Sequence, residues 1–219
     1  SSPYYSEAER TFDSPQDWTA NGATTLSLHF RGITPGFTQT ASGNILMNAI
    51  GSDIWDTADQ FRFVYKNLAG NGSITARVHS VQATNTWAKA GVMIRQDTDS
   101  GSVHAFMPLT ANNDGAAGNG ASFQRRLIAG GVSTNDDSAT AIAKPYWVKV
   151  ERVGDAFSGY ISPDGITWTQ LGTAQTIPMN SSTLIGLALC SHSTTAVTAA
   201  EFSDVKTTGN VTGDWQVAE

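Results

Sequence analysis

Period-two alternation, cut at short intervals by turn residues, constrains this chain more than any other feature. Residues 24–31 are the cleanest case. Leu26, Leu28 and Phe30 fall on one face, and Thr25, Ser27, His29 and Arg31 on the other. Successive side chains of a strand point to opposite faces, so the pattern predicts a half-buried antiparallel strand. Further strands are predicted at 60–66, 73–81, 91–96, 103–110, 122–128, 147–152, 156–161, 167–171, 184–191 and 200–206. Turn signals stand between them: Asn71-Gly72, Asn112-Asn113-Asp114-Gly115, Asn119-Gly120, Val153-Gly154-Asp155 and Pro163-Asp164-Gly165. The run from Phe157 to Leu171 reads as a hairpin turning at 162–165. No segment carries three turns of helical periodicity. Many short strands with close turns predict a two-sheet sandwich or a barrel, and the sandwich is preferred.

The 219 residues show no shift of composition or charge that marks an internal boundary. One domain is therefore expected: strands within 1–41 joining a core jelly roll over 42–206, with a C-terminal tail over 207–219. A single cysteine excludes an internal disulfide and a CxxC site. Thirteen Lys and Arg against nineteen Asp and Glu leave a net charge of −6, which argues against a broad nucleic-acid-binding surface. No apolar run approaches the ~20 residues of a membrane span, so no membrane insertion is expected. No signal-peptide pattern opens the sequence, which leaves a cytosolic protein, a mature form or an excised module. Low charge with abundant Ser, Thr, Asn and Gly points to an extracellular or cell-surface bacterial β-protein.

Several chemistries have no sequence support. There is no G-x-S-x-G elbow and no H-E-x-x-H pair, and Gly70-Asn71-Gly72 lacks the third glycine and the helix of a phosphate loop. His29, His79, His104 and His192 are scattered. Cys190 reads as a small residue near the core, Trp168 as core, Trp18 as a packing anchor and Trp215 as tail.

Five segments, taken together and in order, resemble a known group. They are SGNILMNAIGSDIWDTADQFRFVY from Ser42, NGSITARVHSV from Asn71, WAKAGVMIRQ from Trp87, PYWVKVERVGDAFSGYISPDGITWTQL from Pro145 and LIGLALCSHSTTAVTAAEFSDV from Leu184. They resemble the concanavalin A-like jelly-roll (laminin-G-like, lectin–glucanase) modules of secreted bacterial glycan-associated proteins. The resemblance implies an all-β antiparallel jelly roll and a function among lectins, carbohydrate-binding modules, hydrolases, lyases and adhesion modules; the fold alone does not choose between them. It also implies a structural Ca²⁺ between terminal strands and no organic cofactor. Glu7, Glu9, Glu201 and Asp204 are the candidate ligands, with Asp53, Asp56 and Asp59 a second group; solvated turn acids are the alternative. The paired catalytic glutamates of the related hydrolases have no clear counterpart here, because acids spaced by three fall on opposite faces of a strand.

Sorting the strands by face yields the candidate site. With Val92 and Ile94 inward, Arg95 points outward. With Val148 and Val150 inward, Trp147, Lys149 and Glu151 point outward. With Ile185, Leu187 and Leu189 inward, the small residues Gly186, Ala188 and Cys190 leave room on the outer side, with His192 beyond them. Gln124 and Arg126 share a face, and His104 lies near an edge. One concave sheet presenting Arg95, His104, Gln124, Arg126, Trp147, Lys149, Glu151 and His192, with Trp55 and Trp87 as loop platforms, suits a saccharide: aromatics stack on sugar rings and planar polar groups take the hydroxyls. The Arg and Lys content leans toward an anionic sugar. The alternative is an ordinary wet sheet face with an Arg95–Glu151 surface pair. The expected function is a non-catalytic, monomeric polysaccharide-binding module of a larger protein, serving an attached enzyme or a cell surface. A glycan-active hydrolase or lyase, with His192 and Arg95 in a lyase, and a structural or adhesive spacer are the other readings.

Overall fold

The computed structural model describes residues 36–112, 120–136 and 142–219. They belong to one compact unit, Ile33–Glu219. The strand expected at 24–31, Glu7, Glu9 and Trp18 lie outside the described residues. Every regular element among the described residues is a strand: β1 (Gly36–Gln39), β2 (Ile45–Gly51), β3 (Arg62–Val81), β4 (Lys89–Arg95), β5 (His104–Thr110), β6 (Gln124–Arg126), β7 (Thr134–Asn135), β8 (Tyr146–Val153), β9 (Ala156–Ser162), β10 (Thr169–Thr176), β11 (Ser182–Cys190) and β12 (Ser193–Ala218). No helix among them is long and apolar enough to cross a membrane. All pairings of the strands are antiparallel, and the architecture is a jelly-roll β-sandwich.

Two long strands hold the sandwich together. β12 runs beside β3 from the Ala200–Val81 pair to the Ala218–Phe63 pair. On its other edge β3 changes neighbour: residues 62–69 pair with β11, and residues 72–78 pair with β8. The first half of β3 thus continues through β11, β4, β5, β6 and β7. The second half continues through β8, β9 and β10, with β2 and β1 beyond β12. One strand pair serves both sheets, the corner device expected where strands bend from one sheet into the other.

The bend falls at Asn71-Gly72, a dipeptide that signals a turn. Here it does not end the strand. Its partner segment carries Gly209 at φ +88 and a register shift to Asn210. A side chain at Gly209 would meet the Asn71 carbonyl oxygen, and one at Gly72 the Thr208 carbonyl oxygen. Both glycines are needed for close backbone approach, and Gly209 also for its left-handed conformation. The tail expected over 207–219 is therefore a correction: it is the second half of β12, with Trp215 packed against the core and under the Lys66 ammonium.

The core lies between the sheets. Val92, Ile94, Met107, Leu187 and Leu189 from one sheet face Val78, Val148, Val150, Phe157 and Phe202 from the other, all nearly or fully buried. Phe123, just before β6, fits against Gly159 on β9, where an added methyl would strike its ring. The predicted inward positions of β4, β8 and β11 are the observed ones. Trp168 is a correction: it is half-buried on the outer face beside Lys149, 5.0 Å from the ammonium, while Ile166 is exposed.

Replacing Gly209 by valine tests the bend. Forcing a β-branched residue into a left-handed site costs about 1–3 kcal/mol, before the collision with Asn71 is counted. The expected outcome is a lower thermal midpoint by several degrees and a lower urea midpoint; an unchanged midpoint would refute the role of the bend.

Candidate functional site

The β11–β4–β5–β6 sheet is not open on its outer face. Met93, Phe106, Phe63, Ala188 and Cys190 point outward from it, and Ile54 and Phe61 from the β2–β3 loop cover them in a second small apolar cluster. The room over the small residues of β11 is filled by the protein's own loop. Burial also pushes the Cys190 thiol up to about 12, so it is an inert packing group.

Under this loop sits a buried ionic cluster. Asp59 accepts two 2.7 Å bonds, one at each oxygen, from the Arg126 guanidinium, and a third at 3.2 Å from Arg95. The side chains of Asp59 and Arg126 are fully buried, and that of Arg95 nearly so. Arg126 donates further to the carbonyls of Trp55 and Asp56 at 3.0 Å, Gly131 at 3.0 Å and Ser102 at 3.1 Å. Arg95 donates to the carbonyls of Asp97 and Asp99. Burial raises the Asp59 carboxyl above its ordinary value, while the bonds and charges of Arg126 and Arg95 pull against it. His104 lies fully buried beside them, 3.6 Å from Asp59. Burial, then the two guanidinium charges, hold its pKa well below 6.5 and keep it neutral.

Arg95, Arg126 and His104 thus share the predicted face but are sealed beneath the loop, unable to meet a ligand. Trp147, Lys149 and Glu151 are a second correction. β8 belongs to the other sheet, so these side chains lie on its outer face, where Lys149 stands 4.1 Å over the Tyr160 ring. Glu151 accepts from the Tyr160 hydroxyl at 3.3 Å and makes no pair with Arg95. The single groove of seven residues and His104 does not form. Separate strands can show the same inward–outward alternation in different sheets, and alternation does not say which sheet.

Four of the sequence candidates do converge. Trp55, Trp87, Gln124 and His192 line one cleft of about 330 Å³ on the outer side of the first sheet. Trp55 comes from the β2–β3 loop. That loop is closed by a bridge between Asp53 and Gln60, and Arg126 grips its backbone. Trp87 stands just before β4, where the Asn85 side chain accepts its backbone N–H at 2.9 Å. Gln124 projects from β6, with Asn135 of β7 opposite it. His192 occupies the turn between β11 and β12 with φ 54, a left-handed conformation that histidine adopts more readily than most residues.

The remaining walls were not among the candidate binders. Lys89 begins β4, and its ammonium lies 2.5 Å from Asp53 Oδ1, 3.3 Å from the Ile54 carbonyl and 5.4 Å from the Trp55 ring. The other Asp53 oxygen is 3.3 Å from His192 Nδ1. Gln124 donates its amide to Ser122 at 3.0 Å, and its Oε1 is buried with no hydrogen-bond partner among the described residues. An unmatched buried acceptor is costly unless something supplies a donor. Lys89 had one legible signal: it alternates with Gly91, Met93 and Arg95, so it belongs to the same outer face.

Among the described residues the candidate metal ligands do not gather; Glu7 and Glu9 lie outside them. Asp53 turns to Lys89 and His192, Asp59 to the arginines, and Asp56 is exposed. Glu201 accepts from the Asn44 amide at 2.7 Å, and Asp204 from the Ser203 hydroxyl at 2.8 Å. Among the described residues no three acidic, histidine or cysteine side chains group to hold a metal.

A family model described as a protein of unknown function (DUF1349) matches residues 12–210. The chain belongs to the DUF1349 family. No curated protein matches this DUF1349 chain. Among solved structures it is similar to a functionally unknown protein from Saccharomyces cerevisiae, with TM-score 0.61 and 16% identity, covering 80% of this chain and 91% of that one. It is similar to the GH43 protein BlXynB from Bacillus licheniformis, with TM-score 0.55 and 13% identity, covering 76% of this chain and 33% of that one. A xylan β-1,4-xylosidase from Bacillus halodurans follows at TM-score 0.51 and 14% identity, covering 73% of this chain and 32% of that one. The two longer proteins share the fold over about a third of their length.

Two measurements test the buried cluster. Arg126→Met strands the Asp59 carboxylate without its main partner and is expected to cost about 3–5 kcal/mol, whereas Arg126→Met with Asp59→Leu is expected to cost clearly less. Urea unfolding of the single and double variants reads the difference, and equal losses would refute the ion pair. The second concerns pH. The unfolded chain protonates His104 near 6.5, and the folded chain does so only well below that. A group whose folded pKa is depressed lends stability above its unfolded value, and that stability is lost as pH falls. Stability is therefore expected to decline as pH drops below about 6.5, and His104→Gln to flatten this part of the profile.

Proposed function

We propose that this DUF1349 chain is a carbohydrate-binding module that holds a saccharide in the Trp55–Trp87 cleft. The observation that carries the reading is the composition of one concave site: two half-exposed indoles beside a polar floor in which the Gln124 carbonyl oxygen lacks a donor. Sugar rings present apolar C–H faces to indoles and hydroxyls to amides. The cleft volume of about 330 Å³ falls at the small end of ligand sites and suits a short stretch of glycan. The fold, shared with a xylan β-1,4-xylosidase over a third of that protein's length, is in line with a module that keeps an attached enzyme or cell surface near its polysaccharide. An extracellular or cell-surface setting belongs to this proposal.

A second reading has its own observation. The Asp53 carboxylate lies 3.3 Å from His192 Nδ1, which puts an acid beside an imidazole in the cleft, the pair of group types that proton transfer uses. The cleft would then act on the glycan it binds. Hydrolysis by a carboxylate pair would need a partner for Asp53, which is the one acid among the cleft's described lining residues.

Calorimetric titration of the chain against an oligosaccharide panel separates the readings. The module predicts binding with the glycan recovered intact, and a loss of about tenfold in affinity, or ~1.4 kcal/mol, for Trp55→Ala and for Trp87→Ala. Release of reducing ends or unsaturated products, abolished by His192→Ala, would establish the enzyme. Affinity unchanged in both tryptophan variants would remove the cleft from consideration.

A further inference from the structure

We propose that the cleft selects an uncharged sugar and discriminates against both uronic acids and amino sugars; the inference rests on the saccharide reading above. It reverses the lean toward an anionic sugar that the Arg and Lys content suggested. The two arginines responsible for that lean are buried and engaged with Asp59, so their charge is compensated away from the cleft.

The cation that does line the cleft is compensated within it. The Lys89 side chain is 3% exposed, and Asp53 Oδ1 lies 2.5 Å from its ammonium. A sugar carboxylate entering here would lose hydration beside the Asp53 carboxylate, and Lys89 is already matched by that same group. Moving a charge into a half-buried site without a free counter-ion is unfavourable, because lost hydration is not repaid by pairing.

A sugar ammonium fares no better. Asp53 Oδ1 already accepts from Lys89 and from the Ile54 N–H at 2.7 Å, and Oδ2 faces His192. The Asp53 charge is already balanced by the Lys89 ammonium, which repels a second cation.

Besides His192 Nδ1, the unmatched buried polar atom among the cleft's described residues belongs to a neutral amide. Gln124 Oε1 is buried and unmatched among the described residues, while the amide nitrogen bonds Ser122. Rotating that amide by half a turn exchanges which end is unmatched, because the Ser122 hydroxyl can donate or accept. A sugar hydroxyl also donates or accepts, so it answers either orientation. A carboxylate answers only the NH₂ end and an ammonium only the oxygen. Asn135 across from Gln124 is another neutral amide of both characters.

The test is calorimetry on the intact chain with xylo-, cello- and fructo-oligosaccharides as neutral probes, oligogalacturonate as the anionic probe and chitosan oligosaccharides as the cationic one. Each is run at low and high salt. The expected result is that at least one neutral probe binds at least about tenfold more tightly than either charged probe, with little change in salt. Gln124→Leu is expected to weaken the neutral probe about tenfold while leaving the thermal midpoint near that of the parent. Tighter binding of oligogalacturonate or chitosan, strong weakening by salt, or a Gln124→Leu variant that is folded and binds as before would overturn the selectivity and leave the saccharide reading standing. Failure of all three classes to bind would overturn the saccharide reading itself.

Discussion

The Asp59–Arg126 pair is the contact on which the functional face depends. A carboxylate and a guanidinium, both fully buried, satisfy each other with two 2.7 Å bonds. The other guanidinium donors reach the backbone of three separate loops, at Trp55 and Asp56, at Ser102 and at Gly131. A buried pair of this kind contributes little net stability over an apolar substitute, yet neither partner tolerates loss of the other. Its effect is positional. It draws the β2–β3 loop down over the sheet, so that Ile54 and Phe61 fill the outer face and Trp55 and Asp53 are held at its rim. An open concave sheet becomes a covered sheet with a smaller cleft beside the cover.

The second constraint is the continuous β3–β12 pair. Because both strands bend through the same corner, at Gly72 and Gly209, the two sheets share a backbone ladder as well as a hydrophobic core. The corner separates the faces functionally. Lys149, Trp147 and Glu151 grow from a strand that joins β3 beyond the bend, so their outer surface belongs to the other sheet. The cleft residues grow from β4, β6, β7 and the loops around them, all tied to the half of β3 before the bend.

Much of the architecture was legible. Each predicted strand among the described residues overlaps an observed one, and the inward positions Val92, Ile94, Val148, Val150, Ile185, Leu187 and Leu189 are core. What misled was local chemistry with two meanings. Asn71-Gly72 permits a hairpin turn or a strand bend, and only pairing with β12 selects the bend. Arg95 and Arg126 alternate outward as exposed residues would, and only the loop carrying Asp59, more than thirty positions earlier in the chain, converts them to a buried cluster. A hint was present in β4 and β5, where Met93 and Phe106 are apolar on the supposedly wet side. Strands apolar on both faces are covered on both faces. Of the proposed ligand contacts, Trp55, Trp87, Gln124 and His192 meet in the cleft, while Lys89 and Asp53 join them through a contact between a strand and a distant loop.

The sequence by itself determined that the chain forms short antiparallel strands, which residues of β4, β8 and β11 point to the core, and that the product is a sandwich or a barrel. These follow from alternation and turn chemistry, which act over a few residues. The tertiary structure alone decided which strand joins which sheet, which outward charges are sealed, and that a lysine, a carboxylate, two indoles and an unmatched amide share one cleft. Those outcomes depend on contacts between residues far apart in the chain, and the energy of burying or pairing a charge is defined only once its neighbours are in place.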